Sequence, residues 1–262
     1  MRLRIDLAYD GTGFRGWAAQ PGLRTVEGEL TTALATVLRV DRVAVVCAGR
    51  TDAGVHARAQ VVHCDVDSAP PSMARRLNGL LPRDVRVRRL AQAPAGFDAR
   101  FGALWRRYAY RIADAADLVD PLVRSHVLTW PRPLDLDAMN ESSALLTGRH
   151  DFASFCRRRE GASTIRTLLD LSWSRDPAGL AVAAVRADAF CHTMVRSLVG
   201  CLLAVGDGRR PPSWPGRILH AGARDPSVTV ARAHGLTLEE VAYPRDEELA
   251  ARAEVTRARR DG

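Results

Sequence analysis

The chain has 262 residues, 47% apolar and 26% charged, which is the balance of an ordinary globular protein rather than a disordered, collagen-like or disulfide-dense one. Its 38 basic residues against 30 acidic ones give a net charge of +8, an excess that points to a polyanionic partner, most simply nucleic acid. No lysine occurs in the sequence, so a phosphate-binding P-loop and Schiff-base chemistry on a side-chain amine are both excluded.

The predicted elements alternate along the chain. Arg2–Tyr9 alternates polar and apolar residues and reads as a strand. Thr25–Arg39 carries Val26, Leu30, Ala33, Leu34, Val37 and Leu38 at helical spacing. Val43–Ala48 and Gln60–Val66 read as short apolar strands, Pro71–Leu81 as a helix, and Asp84–Leu90 as a half-buried strand. This β-α-β-β-α-β order is the ferredoxin-like arrangement. The later part repeats it loosely. Arg106–Ala113 is a strand and Leu134–Leu146 a helix. Leu168–Ser174 and Leu180–Asp188 are strands joined by the turn-forming Asp176-Pro177-Ala178-Gly179. Phe190–Val205 is an amphipathic helix, and Leu236–Tyr243 a closing strand. The expectation is an α/β (α+β) chain of two ferredoxin-like halves with mixed and antiparallel sheets. Residues 1–95 form the first half, 96–244 the second, and 245–262 a charged tail.

No apolar run, even near Leu198–Val205, approaches the roughly 18 residues of a membrane helix. Asp6 and Asp10 interrupt any signal-like start, so a cytoplasmic protein is expected. The five cysteines, Cys47, Cys64, Cys156, Cys191 and Cys201, are odd in number and lack CxxC spacing. They read as free thiols in a reducing compartment. His63-Cys64 and Cys191-His192 are adjacent pairs whose side chains diverge, so no metal site is expected.

One glycine-rich segment is a false lead, and four further segments carry candidate chemistry. Gly11–Gly16 matches GxGxxG after a strand, but Pro21-Gly22 forbids the helix that a dinucleotide site needs. Glycine there still lets backbone approach a bulky ligand. Gly49-Arg50-Thr51-Asp52-Ala53-Gly54-Val55-His56 lies between two apolar strands. Asp52 is its only carboxylate, Arg50 can hold that group ionised or clamp a phosphate, and His56 is a second candidate base. The alternative is a turn held by Asp–backbone bonds. Phe97-Asp98-Ala99-Arg100-Phe101, followed by Trp105–Arg111, interleaves arginine with aromatic rings, as stacking on unpaired bases requires; the aromatics serve a core equally well. Arg157-Arg158-Arg159 reads as a phosphate-contacting or solvated loop. His192, Arg196 and Gly200 form a polar or small helical stripe that faces a nucleic-acid groove or water.

Taken together, GRTDAGVHARAQVVH, YDGTGFRGW, DARFGALWRRYAYRI, AFCHTMVRSLVG and GLTLEEVAYP resemble the tRNA pseudouridine synthase A family, in order from Tyr9 to Pro244. The resemblance implies a homodimeric isomerase with the pseudouridine-synthase catalytic fold and a positive cleft. Its substrate is the tRNA anticodon stem-loop, at uridines 38, 39 and 40, and it uses no metal, organic or nucleotide cofactor and no membrane. By motif position Asp52 is the catalytic aspartate, Arg50 the arginine before it, and Tyr108 the tyrosine that stacks on the target base. Arg100, Phe101, Arg157, Arg158, Arg159 and Arg196 fall among RNA contacts. The catalytic motif reads the chemistry and not the address, so another RNA site remains an alternative. A non-catalytic RNA-binding module is a further one.

Overall fold

A computed structural model describes residues 1–157, 161 and 163–261, with side chains through Ala258. The chain divides into two compact units, Met1–Leu104 with Leu238–Gly262, and Trp105–Thr237. The division expected at residue 95 therefore falls at Leu104, and the C-terminal segment belongs to the first unit rather than forming a separate tail.

The first unit runs β1 (Arg2–Tyr9), α1 (Val26–Leu38), β2 (Val46–Cys47), β3 (His56–Asp65), α2 (Met73–Leu80) and β4 (Val85–Gln92). β1 lies between β4 and β3, antiparallel to both, and β2 pairs antiparallel with β3. This is the expected β-α-β-β-α-β order. Alternation in β1 buries Leu3, Ile5 and Leu7, and the amphipathic helices bury Leu30, Leu34 and Leu77. α1 starts where the sequence places it, because the Thr25 hydroxyl accepts from Gly28 N at 3.2 Å. β2 is shorter than the predicted Val43–Ala48. Val43 and Ala48 are buried, but the strand itself is Val46–Cys47, opposite His63 and Val62, and Ala48 N adds one bond to Val61 O at 2.8 Å. β3 begins earlier than expected because Ala57 extends the pairing to Tyr9.

The second unit contains β5 (Trp105–Ala113), β6 (Leu128–Thr129), α3 (Leu136–Ala144), β7 (Gly148–Asp151), β8 (Ile165–Arg175), β9 (Ala181–Ala187), α4 (Met194–Gly206) and α5 (Trp214–His220). Its strands lie in the order β5-β9-β8-β7, all antiparallel, and β6 joins β5 in parallel. The β8–β9 hairpin turns at 176–179 as predicted, where the Asp176 carboxylate accepts from Ala178 N and Leu180 N. β6, β7 and α5 were not predicted, being too short to show a period.

α4 starts at Met194, not Phe190. Thr193 sits at φ 68°, in the left-handed region that no helix continues through. Phe190 and His192 thus leave the helix, and the expected His192–Arg196–Gly200 stripe does not exist. Gly200 instead meets the 229–231 segment so closely that a Cβ there would lie within 2 Å of Thr229 O, at 1.7 Å.

β10 (Leu236–Ala242) lies beside β3 in the first unit from Leu238 onward. The charged terminus forms α6 (Leu249–Asp261). This helix buries Leu249 and Ala253 and presses Ala250 against Gly96, where φ is +75° and a side chain would clash. No helix among the described residues is long and apolar enough to cross a membrane.

The expectation of free thiols fails at one pair. Cys156 and Cys191 form a disulfide with Cα atoms 5.8 Å apart. Their separation of 35 residues carries no spacing signal; only the fold brings them together. Cys47, Cys64 and Cys201 are free, and burial pushes their thiols up to about 12, 11 and 12.

Candidate active site and nucleic-acid interface

The Gly49–His56 loop joins β2 to β3 in the first unit, as the sequence predicts. Asp52 is half-buried and Arg50 exposed, whereas Thr51 and His56 are buried. The loop is clamped along its length. Trp17 N donates to Thr51 O at 3.0 Å, Gly54 N to Phe14 O at 3.3 Å, and Val55 N to Asp52 O at 3.1 Å. The Tyr9 and Thr51 hydroxyls are 2.7 Å apart.

The Gly11–Gly16 segment now has a physical role. Gly11–Gly13 makes a single 3-10 turn, not the helix start of a dinucleotide site. A Cβ at Gly11 would lie 2.0 Å from Val55 O, and Gly16, at φ +95°, would place one 2.9 Å from Thr51 O. The glycines let this segment press its backbone against the loop that carries Asp52. His56 completes the contact. Its Nδ1 lies 3.0 Å from Gly11 N and 3.1 Å from Asp10 Oδ1, so the ring ties the Asp10–Gly11 segment to the loop.

The second predicted cluster divides. In the first unit, Asp98 accepts from Arg100 N and Phe101 N, both at 2.8 Å, and from Arg257 at 2.6 Å. Burial alone would raise its carboxyl, but the bonds from Phe101 N, Arg257 and Arg100 N outweigh burial and hold it below the usual range. The resulting turn presents exposed Arg100, whose guanidinium lies 5.2 Å from the Phe101 ring; that of Arg257 lies at the same distance.

In the second unit, β5 buries most of what the sequence offered for base stacking. Arg106 is buried and donates to Asp188 O at 2.7 Å. Tyr110 is fully buried and donates to Arg232 O at 2.7 Å. Tyr108 is 7% exposed, its ring edge-on to Phe190 at 5.2 Å. Arg196 is half-buried, and its Nε donates to Ala231 O at 2.8 Å. Arg157 is exposed, with its N–H bonded to His192 O at 3.0 Å. Arg158 and Arg159 lie outside the described residues. No group of three or more His, Cys, Asp or Glu among the described residues is arranged to hold a metal ion.

Sequence reading missed Tyr9, Gln60 and Trp17. Gln60 had a signal: it shares a strand face with Val62 and Cys64, and an amide on an apolar face demands buried partners.

The whole is an α/β protein with one carboxylate on a clamped loop between two strands and arginine–aromatic segments in both units. A family model described as tRNA pseudouridine synthase matches residues 143–244. The tRNA pseudouridine synthase A of Frankia casuarinae is 62% identical over 260 residues, covering 98% of this chain and 95% of the relative. That of Streptomyces griseus is 60% identical, covering 97% and 92%. That of Mycobacterium leprae is 51% identical, covering 98% and 94%. One solved structure, of an H/ACA RNP bound to a substrate RNA containing 2′-deoxyuridine, matches with TM-score 0.31 and 12% identity over 77% of this chain and 53%, about half, of that one. By its full-length relatives the chain belongs to the tRNA pseudouridine synthase A family.

Proposed function

We propose that this chain isomerises uridine to pseudouridine in tRNA, at positions 38, 39 and 40 of the anticodon stem-loop, with Asp52 as the catalytic carboxylate. The observation that carries the reading is the placement of Asp52: the only carboxylate on a loop tied down at Thr51 and Gly54. A carboxylate acting on a sugar must be held within a fraction of an ångström of its target, and a clamped loop between strands does this.

The reaction breaks the C1′–N1 bond, rotates the uracil and joins C1′ to C5. The C5 proton leaves and N1 gains one, so composition is unchanged and no redox partner is required. Asp52 attacks C1′ or assists elimination from the ribose; both routes release uracil for rejoining through C5. A paired uridine must first leave its stack, which costs a few kcal/mol. In this reading Arg50 and the stacking ring of Tyr108 offset that cost, Arg100, Phe101, Arg157 and Arg196 neutralise or stack on the surrounding RNA, and the protein works as a homodimer in the cytoplasm. The net charge of +8 suits the phosphates.

Pseudouridine mapping on a tRNA carrying uridines at 38, 39 and 40 tests the proposal, with the wild type and Asp52→Asn compared. Wild type converts these sites, and Asp52→Asn binds the tRNA without converting it. Wild-type turnover by Asp52→Asn would remove Asp52 from the chemistry. Conversion at other uridines would change the address and keep the reaction.

A further inference from the structure

A buried polar chain runs beneath the Asp52 loop. Gln60, on β3, is fully buried. Its amide nitrogen donates to Gly49 O at 2.8 Å and to the Tyr9 hydroxyl at 3.3 Å, while its amide oxygen accepts from Val61 N at 3.2 Å. A backbone carbonyl only accepts and a backbone N–H only donates, so both contacts fix the same orientation of the amide. The Tyr9 hydroxyl accepts the hydrogen bond from Gln60 and shares a second hydrogen bond with Thr51 Oγ1 at 2.7 Å. Tyr9 is 5% exposed and Thr51 7%. The chain Gln60–Tyr9–Thr51 thus reaches the residue next to Asp52. Its other arm holds Gly49, where the loop begins.

Apolar residues of similar size would fill this space without the desolvation that three buried polar groups carry. A satisfied chain of hydrogen bonds achieves what apolar packing does not, because its bonds hold only for one backbone arrangement above it. The loop needs that restraint, since Gly54 at φ +77° is backbone of low intrinsic rigidity.

We infer that Gln60, Tyr9 and Thr51 are positioning residues that set the Asp52 carboxylate against the ribose of the target uridine. The inference rests on Asp52 being the catalytic group. None of the three has to touch RNA for this; they act through the loop backbone on both sides of Asp52.

The test uses the full chain and a tRNA transcript, measuring single-turnover conversion, tRNA binding and thermal unfolding for each variant. Thr51→Val keeps the shape and removes the hydroxyl, and Tyr9→Phe removes the middle link while keeping the ring. Both lower the single-turnover rate by about 10- to 100-fold, the scale of a slightly misplaced catalytic group, with tRNA affinity unchanged. Thr51→Ser, which restores the hydroxyl, recovers most of the rate. Wild-type rates in folded Thr51→Val and Tyr9→Phe, or a serine variant no better than valine, would overturn the inference. So would a loss confined to melting temperature. If Thr51→Val does not fold, Tyr9→Phe decides alone. Asp52→Asn is run in parallel. If it is inactive while Thr51→Val and Tyr9→Phe are fully active, only the positioning role falls. If Asp52→Asn is itself active, the reading of the site falls with it.

Discussion

The Gly49–His56 loop and strand β5 both set polar side chains in an apolar frame, and they use them in opposite ways. In the loop the buried groups, Thr51 and His56, bind the protein's own backbone and hydroxyls, while Asp52 stays half-buried and Arg50 exposed. In β5 the cation and ring that the sequence offered for RNA are engaged internally: Arg106 by Asp188 O and Tyr110 by Arg232 O. The difference comes from backbone geometry. A strand sends alternate residues to a packed face, so a polar residue there must find an internal partner. A loop whose backbone is anchored can turn one side chain outward without losing its place. An arginine–aromatic alternation is therefore weaker evidence for RNA contact on a central strand than on a turn such as Asp98–Phe101.

This contrast can be broken or sharpened experimentally. The largest effect belongs to Gly11→Ala, whose methyl would meet Val55 O at 2.0 Å, with backbone on both sides of the clash. It costs about 3 kcal/mol in chemical denaturation and most of the conversion activity. Wild-type stability would show that close approach does not fix the loop. Arg106→Met leaves Asp188 O without its buried donor and costs about 2 kcal/mol, with turnover per folded molecule unchanged. A selective loss of tRNA binding at full stability would instead move Arg106 into the RNA-contact group. Tyr110→Phe removes one bond to Arg232 O and costs about 1 kcal/mol, again without an effect on turnover.

The smallest effect is a pH dependence at His63. Its Nδ1 accepts from Ala99 N at 2.9 Å, next to the turn that carries Arg100. Burial first, then the charge of Arg2, lowers its pKa from 6.5. The unfolded chain takes up a proton that the folded one resists, so stability is full above about pH 6.5 and is lost as pH falls below it. Between pH 7 and 6 the wild type loses under about 1 kcal/mol more than His63→Asn, which keeps an acceptor but does not titrate. Parallel pH profiles for the two proteins would show that His63 is protonated equally in both states.

Much of this was legible in advance. Two-residue and helical periods gave β1, α1, α2, β4, β5 and the β8–β9 hairpin, because these elements bury one face each and their composition records it. The Gly49–His56 loop was legible because a glycine-bounded polar stretch interrupts two apolar runs. The start of α4 was not legible, because a single left-handed residue, Thr193, decides it and threonine does not announce that conformation. The disulfide of Cys156 and Cys191 was hidden for the same kind of reason, since cysteine chemistry depends on a distance that spacing along the chain does not encode.

By itself the sequence determined the order of the elements, the basic character of the protein and the loop that bears Asp52, because these depend on side-chain type and near-neighbour spacing. Only the tertiary structure decided which polar residues face inward. That choice set Gln60, Tyr9 and His56 to holding the loop and set Arg106 and Tyr110 to holding the second unit. The physical reason is that a buried donor or acceptor must be satisfied by whatever the fold brings within about 3 Å, and its partner is a matter of three-dimensional proximity rather than of sequence.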